Sequence, residues 1–209
     1  MHSLPGRTAG SIDVHSGLFP HQEHDVMTTK DSHQLRSPRR VLVIGTSGLG
    51  KSTLAARIAE RLSIPFVATD EMYWTSNWQL VDEKIVERRI AAVVQDSAWV
   101  LDGNFDRERA IVWPAADLIV WLDLPLATTV RRVAVRNLGW WLSRSPIWGG
   151  KRVTLARALS GIRHSARSHA GKRRTYPDAL AAQGADRVVM LRSAAMVEAW
   201  LAGVKRDAR

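Results

Sequence analysis

The sequence predicts an α/β protein whose parallel sheet carries helices on both faces. Three observations predict it. Short apolar runs closed by a carboxylate recur along the chain, segments of helical apolar spacing lie between them, and a glycine-rich loop leads from the first run straight into the first helix. Crossovers between parallel strands are right-handed, so strands alternating with helices leave few topologies open.

The elements follow in order. Residues 1–38 mix Gly, Ser, Pro and His without an apolar period. Five of the seven histidines (His2, His15, His21, His24 and His33) fall there at irregular spacing, so the stretch reads as a disordered tail rather than a metal site. From Arg40 the run Val41-Leu42-Val43-Ile44 reads as a strand, and Lys51 to Leu62 places Leu54, Ala55, Ile58, Ala59 and Leu62 on one helical stripe. Pro65 to Ala68 reads as a short second strand ending at Thr69-Asp70-Glu71, and Val81 to Gln95 as an amphipathic helix. Ala98-Trp99-Val100-Leu101 before Asp102, and Leu118-Ile119-Val120-Trp121-Leu122 before Asp123, read as buried parallel strands. A helix is expected from Leu126 to about Leu138, then a Trp- and Gly-containing stretch from Trp140 to Gly150, and a basic helix from Lys151 to about His164. A short helix from Pro177 to Gln183, a fifth strand from Arg187 to Leu191 and a helix from Met196 to Val204 complete the pattern.

With 209 residues and 45% apolar content, one domain with an ample core is expected. The sequence has no apolar run long enough to span a bilayer as a helix and no apolar secretory segment near its first residues, which reads as cytoplasmic. It contains no cysteine, which excludes disulfides, thiolate metal sites and cysteine nucleophiles. The net charge of +10 is unevenly placed. Between Leu124 and Pro177 there is no Asp or Glu, while twelve of the thirty basic residues fall there, so this segment is expected to meet a polyphosphate or another polyanion.

The loop Gly45-Thr46-Ser47-Gly48-Leu49-Gly50-Lys51-Ser52 has the spacing Gly-x-x-x-x-Gly-Lys-Ser, and Thr53 follows it. Gly45, Gly48 and Gly50 permit the backbone torsions and close approach that let successive N–H groups surround a phosphate at the N-terminus of a helix. Lys51 adds a point charge toward the outer phosphates, and Ser52 supplies a hydroxyl for Mg²⁺. The residues from Gly45 to Thr53 are therefore the candidate ATP site.

Ligands of open parallel sheets bind beyond the carboxyl ends of the strands, where Asp70, Asp102 and Asp123 all fall. Asp102, followed by Gly103-Asn104, suits a magnesium-supporting carboxylate or a structural turn. Asp70 precedes Tyr73, Trp74 and Trp78 and suits either the orientation of an acceptor hydroxyl or a helix cap. Asp123, before Leu124-Pro125, reads as structural. Arg132 and Arg136 lie four residues apart on one helical face, where two guanidinium groups can neutralise charge developing during phosphoryl transfer; Arg131 points elsewhere. Trp140, Trp141 and Trp148 either pack a lid or stack on a base. Lys51, Asp70, Arg132 and Arg136 are the candidate catalytic residues, and Ser52 and Asp102 the candidate metal ligands. The competing reading of the basic, Trp-bearing segment is a nucleic-acid surface.

Across Arg40 to Leu201 the chain resembles the small adenylate-kinase-related P-loop kinases often labelled DNA topology modulation proteins, or FlaR-like. The resemblance rests on Val43-Ile-Gly-Thr-Ser-Gly-Leu-Gly-Lys-Ser-Thr-Leu-Ala55, on Asp70 with Trp74 and Trp78, on Trp99-Val-Leu-Asp-Gly-Asn104, on Ala116-Asp-Leu-Ile-Val-Trp-Leu-Asp-Leu-Pro125, and on Arg132 and Arg136 before a basic segment. It implies a P-loop NTPase fold with a five-stranded parallel sheet of nucleoside-monophosphate-kinase type, a helical lid over about 137–175 within a kinase-like domain of 39–209, ATP and Mg²⁺ as ligands, and phosphate transfer to a nucleotide or small-molecule acceptor. In adenylate kinase proper, Leu-Asp-Gly is followed by Phe-Pro-Arg. Here Asn104-Phe105-Asp106 stands in its place, which points away from AMP as the acceptor, with Arg107 or Arg109 as candidates for a displaced guanidinium. The alternative expectation is an ATP-dependent regulator that binds nucleic acid through the basic segment.

Overall fold

The structure, a computed structural model, describes residues 37–73, 79–143 and 154–205. Strand β1 (Arg40–Gly45) enters the glycine-rich loop, and helix α1 (Lys51–Leu62) leaves it. Then come β2 (Phe66–Ala68), α2 (Asp70–Tyr73), α3 (Glu83–Gln95), β3 (Trp99–Asp102), α4 (Arg109–Ala115), β4 (Leu118–Leu122), α5 (Leu126–Ser143), α6 (Leu155–Ala181), β5 (Val188–Leu191) and α7 (Ala194–Gly203). The five strands form one parallel sheet in the order β2-β3-β1-β4-β5, as the sequence predicts for number and direction.

Alternation along the strands explains why both faces are covered. Val41 and Val43 of β1, with Val100, Val120 and Leu122, pack on Leu54, Ala55, Ile58 and Leu62 of α1 and on Trp200 and Leu201 of α7. Leu42 and Ile44, with Leu101, Ile119 and Trp121, pack on the opposite side against Val86 and Ile90 of α3, Trp113 of α4, and Tyr176 and Leu180 of α6. Such continuous apolar strands are what a sheet buried on both faces requires. The chain leaves β1 at the centre of the sheet, with β3 on one side and β4 on the other, so the loop after β1 sits among the C-terminal ends of its neighbours.

Four elements differ from the sequence reading. The basic helix and the short helix starting at Pro177 are a single 27-residue helix, α6, with Pro177 inside it. Proline removes one donor and usually breaks a helix, but Tyr176 and Leu180, buried on either side of it in the second core cluster, hold the two turns in line. Helix α5 runs on through Trp140 and Trp141 to Ser143 instead of stopping near Leu138. Helices α2 and α4 are additions, of four and seven residues, and α4 contains Pro114. Among the described residues no helix is long and apolar enough to cross a membrane.

Candidate phosphate-binding site

The glycines of the loop meet different constraints. At Gly45 (φ 146°) a Cβ would lie 2.7 Å from the Leu122 carbonyl oxygen of β4, so only glycine lets the two strands close at this point. At Gly48 (φ 84°) a Cβ would collide with Val133 Cγ2 of α5. Gly50 (φ 91°) is the N-cap of α1 and offers no side chain to its first turn, so the opening N–H groups of the helix keep their capacity for an anion. Lys51 Nζ reaches back to donate to the Thr46 carbonyl oxygen at 3.4 Å, which keeps the ammonium folded over the loop. Thr46 is 2% exposed and Leu49 equally buried, so the outer wall of the loop is packed.

The far end of β3 ties the loop in place. Ser52 Oγ donates to Asp102 Oδ2, and Asp102 Oδ1 accepts the Thr69 N–H at 3.0 Å. Ser52 and Asp102, predicted from separate motifs, are thus side by side. Two residues on, Asn104 Oδ1 accepts the Gly45 N–H at 2.9 Å, a contact the sequence reading missed. That amide is spent on Asn104, so Gly45 contributes close strand approach rather than a phosphate donor.

Arginines of α5 approach from the opposite side. Arg132 Nη1 donates to the Leu49 carbonyl oxygen at 2.8 Å, and Arg136 lies with its Nη1 3.9 Å from the Cβ position of Gly48. The predicted pair therefore does converge on the loop. Arg136 also stands over the Trp140 ring at 5.0 Å, and burial lowers the pKa of its guanidinium below the ordinary arginine value. Between the loop, α1 and the start of α7 lies a cavity of about 210 Å³ walled by Leu49, Leu54, Leu122, Leu124 and Val197, with the ion pair Arg57–Glu198 among its polar groups.

Helix α6 is bound to the loops at the strand ends along its inner face. Ser165 Oγ donates to the Ser47 carbonyl oxygen at 3.2 Å, and His169 Nε2 donates to that of Leu124 at 2.9 Å. Arg173 pairs with the buried Asp123 at 2.9 Å, so Asp123 is a structural anchor, as expected. Lys172 donates to Asp106 at 3.2 Å and to the Tyr176 hydroxyl at 2.8 Å, and Tyr176 in turn donates to Asp106 at 3.0 Å. Arg109 pairs with Asp106 and lies over the Trp113 and Tyr176 rings. Burial would raise Asp106, but Lys172, Arg109 and Tyr176 outweigh it and hold the carboxyl below its ordinary 3.8. The Tyr176 hydroxyl is pushed up, first by burial and then by Asp106. The last three turns of the predicted lid, from Ser165 onward, are thereby fastened to the loops at the strand ends.

At the other edge, Asp70 opens α2 directly after β2. Nearby, Tyr73 donates its hydroxyl to Glu108 at 2.9 Å, and burial followed by that carboxylate raises the Tyr73 pKa. The two candidates for a displaced guanidinium are engaged with carboxylates, Arg107 with Glu83 at 2.9 Å and Arg109 with Asp106 at 3.0 Å. Trp74, Trp78, Trp148, the histidine-bearing tail up to residue 36 and the segment 144–153 lie outside the described residues.

A parallel sheet in this order, with a Gly-x-x-x-x-Gly-Lys-Ser loop between its central strand and the next helix, defines the P-loop NTPase fold. Comparison with known proteins narrows the kinship. Residues 41–106 match the family described as ATPase family associated with various cellular activities (AAA). An adenylate kinase of Bifidobacterium longum is 30% identical over 119 residues, which make up 47% of this chain and 63% of that protein. A cytidylate kinase of Nitratidesulfovibrio vulgaris (Hildenborough) is 38% identical over 60 residues, 26% of each chain. The chain thus spans less than two thirds of the length of these curated relatives. A shikimate kinase structure from Bacteroides thetaiotaomicron shares the fold, with a TM-score of 0.52 at 14% identity over 79% of this chain and 95% of that one.

Proposed function

We propose that this protein is an ATP-dependent phosphotransferase of the adenylate-kinase-related type named above, acting on a nucleotide or a small-molecule acceptor. The observation that carries the reading is convergence: Lys51, Ser52 with Asp102, and Arg132 with Arg136 reach one glycine-rich loop from three elements. The N–H groups of the loop after Gly45 and of the first turn of α1 hold the phosphates, and the cavity beside Leu49 and Val197, whose walls mix apolar side chains with Arg57 and Glu198, receives the base. Ser52 and Asp102 form an oxygen donor pair of the hardness that Mg²⁺ takes, and the remaining coordination falls to phosphate and water. Magnesium, when bound, would neutralise charge on the transferring group.

The residues of the chain then divide the work. Lys51 places a positive charge against the outer phosphates, and Arg132 and Arg136 cover the side facing α5, where negative charge spreads during transfer. Asp70, at the C-terminal edge of β2, orients the acceptor hydroxyl or takes its proton. The relatives that match act on adenylate and cytidylate, as their names state, and this supports a nucleotide acceptor; the replacement of Phe-Pro-Arg by Asn104-Phe105-Asp106 argues for one other than AMP.

The test is transfer of labelled γ-phosphate from ATP to a panel of nucleoside monophosphates, nucleosides and sugar alcohols. Phosphorylated acceptor is expected with the natural chain, and a drop of at least ~10²-fold with Lys51→Ala. Slow phosphate release to water with every acceptor would overturn the reading.

One observation favours a second role. On α6, Arg163, Arg167 and Arg174 project within about 40° of one another, on the side opposite the buried Ala158, Ser165, His169 and Tyr176. All three are exposed, and none has an ion-pair partner among the described residues. Facing away from the loop, they cannot serve its phosphates, so the charge of the helix is not all explained by a lid. This outer face suits the backbone of a nucleic acid.

A further inference from the structure

We infer that Asn104 is a positioning residue of the phosphate loop, and that the corner Asp102-Gly103-Asn104 clamps both ends of that loop at once; the inference rests on the ATP-binding reading of the site. The clamp is a matter of register. Strands β1 and β3 pair up to Val43 opposite Asp102, and the Gly103 N–H still donates to the Val43 carbonyl oxygen at 3.0 Å. Beyond that the backbone of β3 turns away and offers no carbonyl oxygen to Gly45. The Asn104 side chain supplies the missing acceptor at 2.9 Å and extends the ladder by one rung. Two residues earlier, Asp102 holds the hydroxyl of Ser52, where the loop becomes helix. The beginning of the loop at Gly45 and its end at Ser52 are therefore fixed by side chains two positions apart on one strand end.

The corner is built for this. Gly103 adopts φ 150°, and a Cβ there would stand 2.5 Å from Thr69 Oγ1 and 3.1 Å from Phe105 Cε2. Phe105 adopts φ 48°, a left-handed conformation unfavourable for a bulky residue, and its ring is 4% exposed in the core. The Trp113 indole N–H donates to the Asn104 carbonyl oxygen at 3.2 Å and fixes the backbone from which the amide reaches across. An asparagine suits the place because its oxygen accepts an N–H while adding no charge beside a phosphate; an aspartate would accept the same bond and repel the ligand.

The experiment compares the natural chain with Asn104→Ala and Asn104→Asp, using titration calorimetry with ATP and Mg²⁺ and amide hydrogen exchange of the ligand-free protein over residues 43–50. Asn104→Ala is expected to speed exchange at Gly45 and to weaken ATP binding about tenfold. Asn104→Asp should keep the protection of Gly45 yet bind ATP still more weakly, a split that a merely structural role would not give. Unchanged affinity and unchanged exchange in Asn104→Ala overturn the clamp. If Asn104→Ala does not fold, Asn104→Asp decides: protection at Gly45 retained with affinity lost supports it, and protection lost overturns it. Failure of the natural chain to bind ATP would instead strike the ATP reading, while the exchange comparison still judges the clamp.

Discussion

Gly48 shows how much one atom costs at the centre of the loop. Its φ of 84° and the collision of a Cβ with Val133 Cγ2 act together. Gly48→Ala is expected to lose about 1–3 kcal/mol, read as a lower urea midpoint, and to weaken ATP binding. Adding Val133→Ala removes the collision but not the torsional strain, so it should restore only part of the loss. The place of the loop between β1 and α1 was legible in the sequence because its glycines, Lys51 and Ser52 stand at a fixed spacing between an apolar run and a helical stripe. Asn104 was not, since its partner Gly45 lies 59 positions away and asparagine after glycine in a turn is ordinary. Asp123 could be read as structural from its place before Leu124-Pro125, but its partner Arg173, 50 positions on, could not.

At the scale of elements, Asp117 joins two strands. Its carboxylate accepts the N–H groups of Arg39 at 3.1 Å and Arg40 at 2.9 Å and the Arg40 guanidinium at 2.8 Å, so the start of β1 is clipped to the start of β4. Burial works to raise its pKa, yet the hydrogen bonds from Arg40 and Arg39 prevail and lower it below the ordinary 3.8. A carboxyl lowered by folding contributes its full stability above the unfolded value and loses it as pH falls through the folded one. The stability gap between the natural chain and Asp117→Asn should therefore be constant above about pH 4.5 and narrow in more acid solution, as urea titrations at several pH values would show. Helix α6 offers a second test. Arg173→Ala leaves Asp123, 4% exposed, without its main partner, but Arg173 itself is half exposed, so a loss of about 1–3 kcal/mol is expected rather than that of a fully buried pair. Thermal unfolding of the variant checks it. Strands and long helices were legible because their apolar period is set by burial on one or two faces. The error at Pro177 arose because local rules make proline a helix breaker, whereas packing of Tyr176 and Leu180 overrides them; α4 was missed because seven residues with a proline carry too little periodicity.

Considered as a whole molecule, the protein has a charge of +10 that is segregated. Arg132, Arg136 and Lys51 face the loop, while Arg163, Arg167 and Arg174 face solvent on the other side of α6. Replacing the latter three with glutamine should leave phosphoryl transfer unchanged while lowering the slope of log binding constant against log salt for single-stranded nucleic acid by about 2. A slope equal to that of the natural chain would remove the second role. The same separation constrains how the helix can move. Its bonds at Ser165, His169, Arg173 and Tyr176 are spaced along about three turns and grip three different stretches of chain, at Ser47, at Asp123-Leu124 and at Asp106. Rolling α6 by one position would turn all four side chains about 100° from their partners at once, so the rod cannot spin in place without losing every one of these bonds. Its outer arginines are therefore held in one orientation relative to the glycine-rich loop.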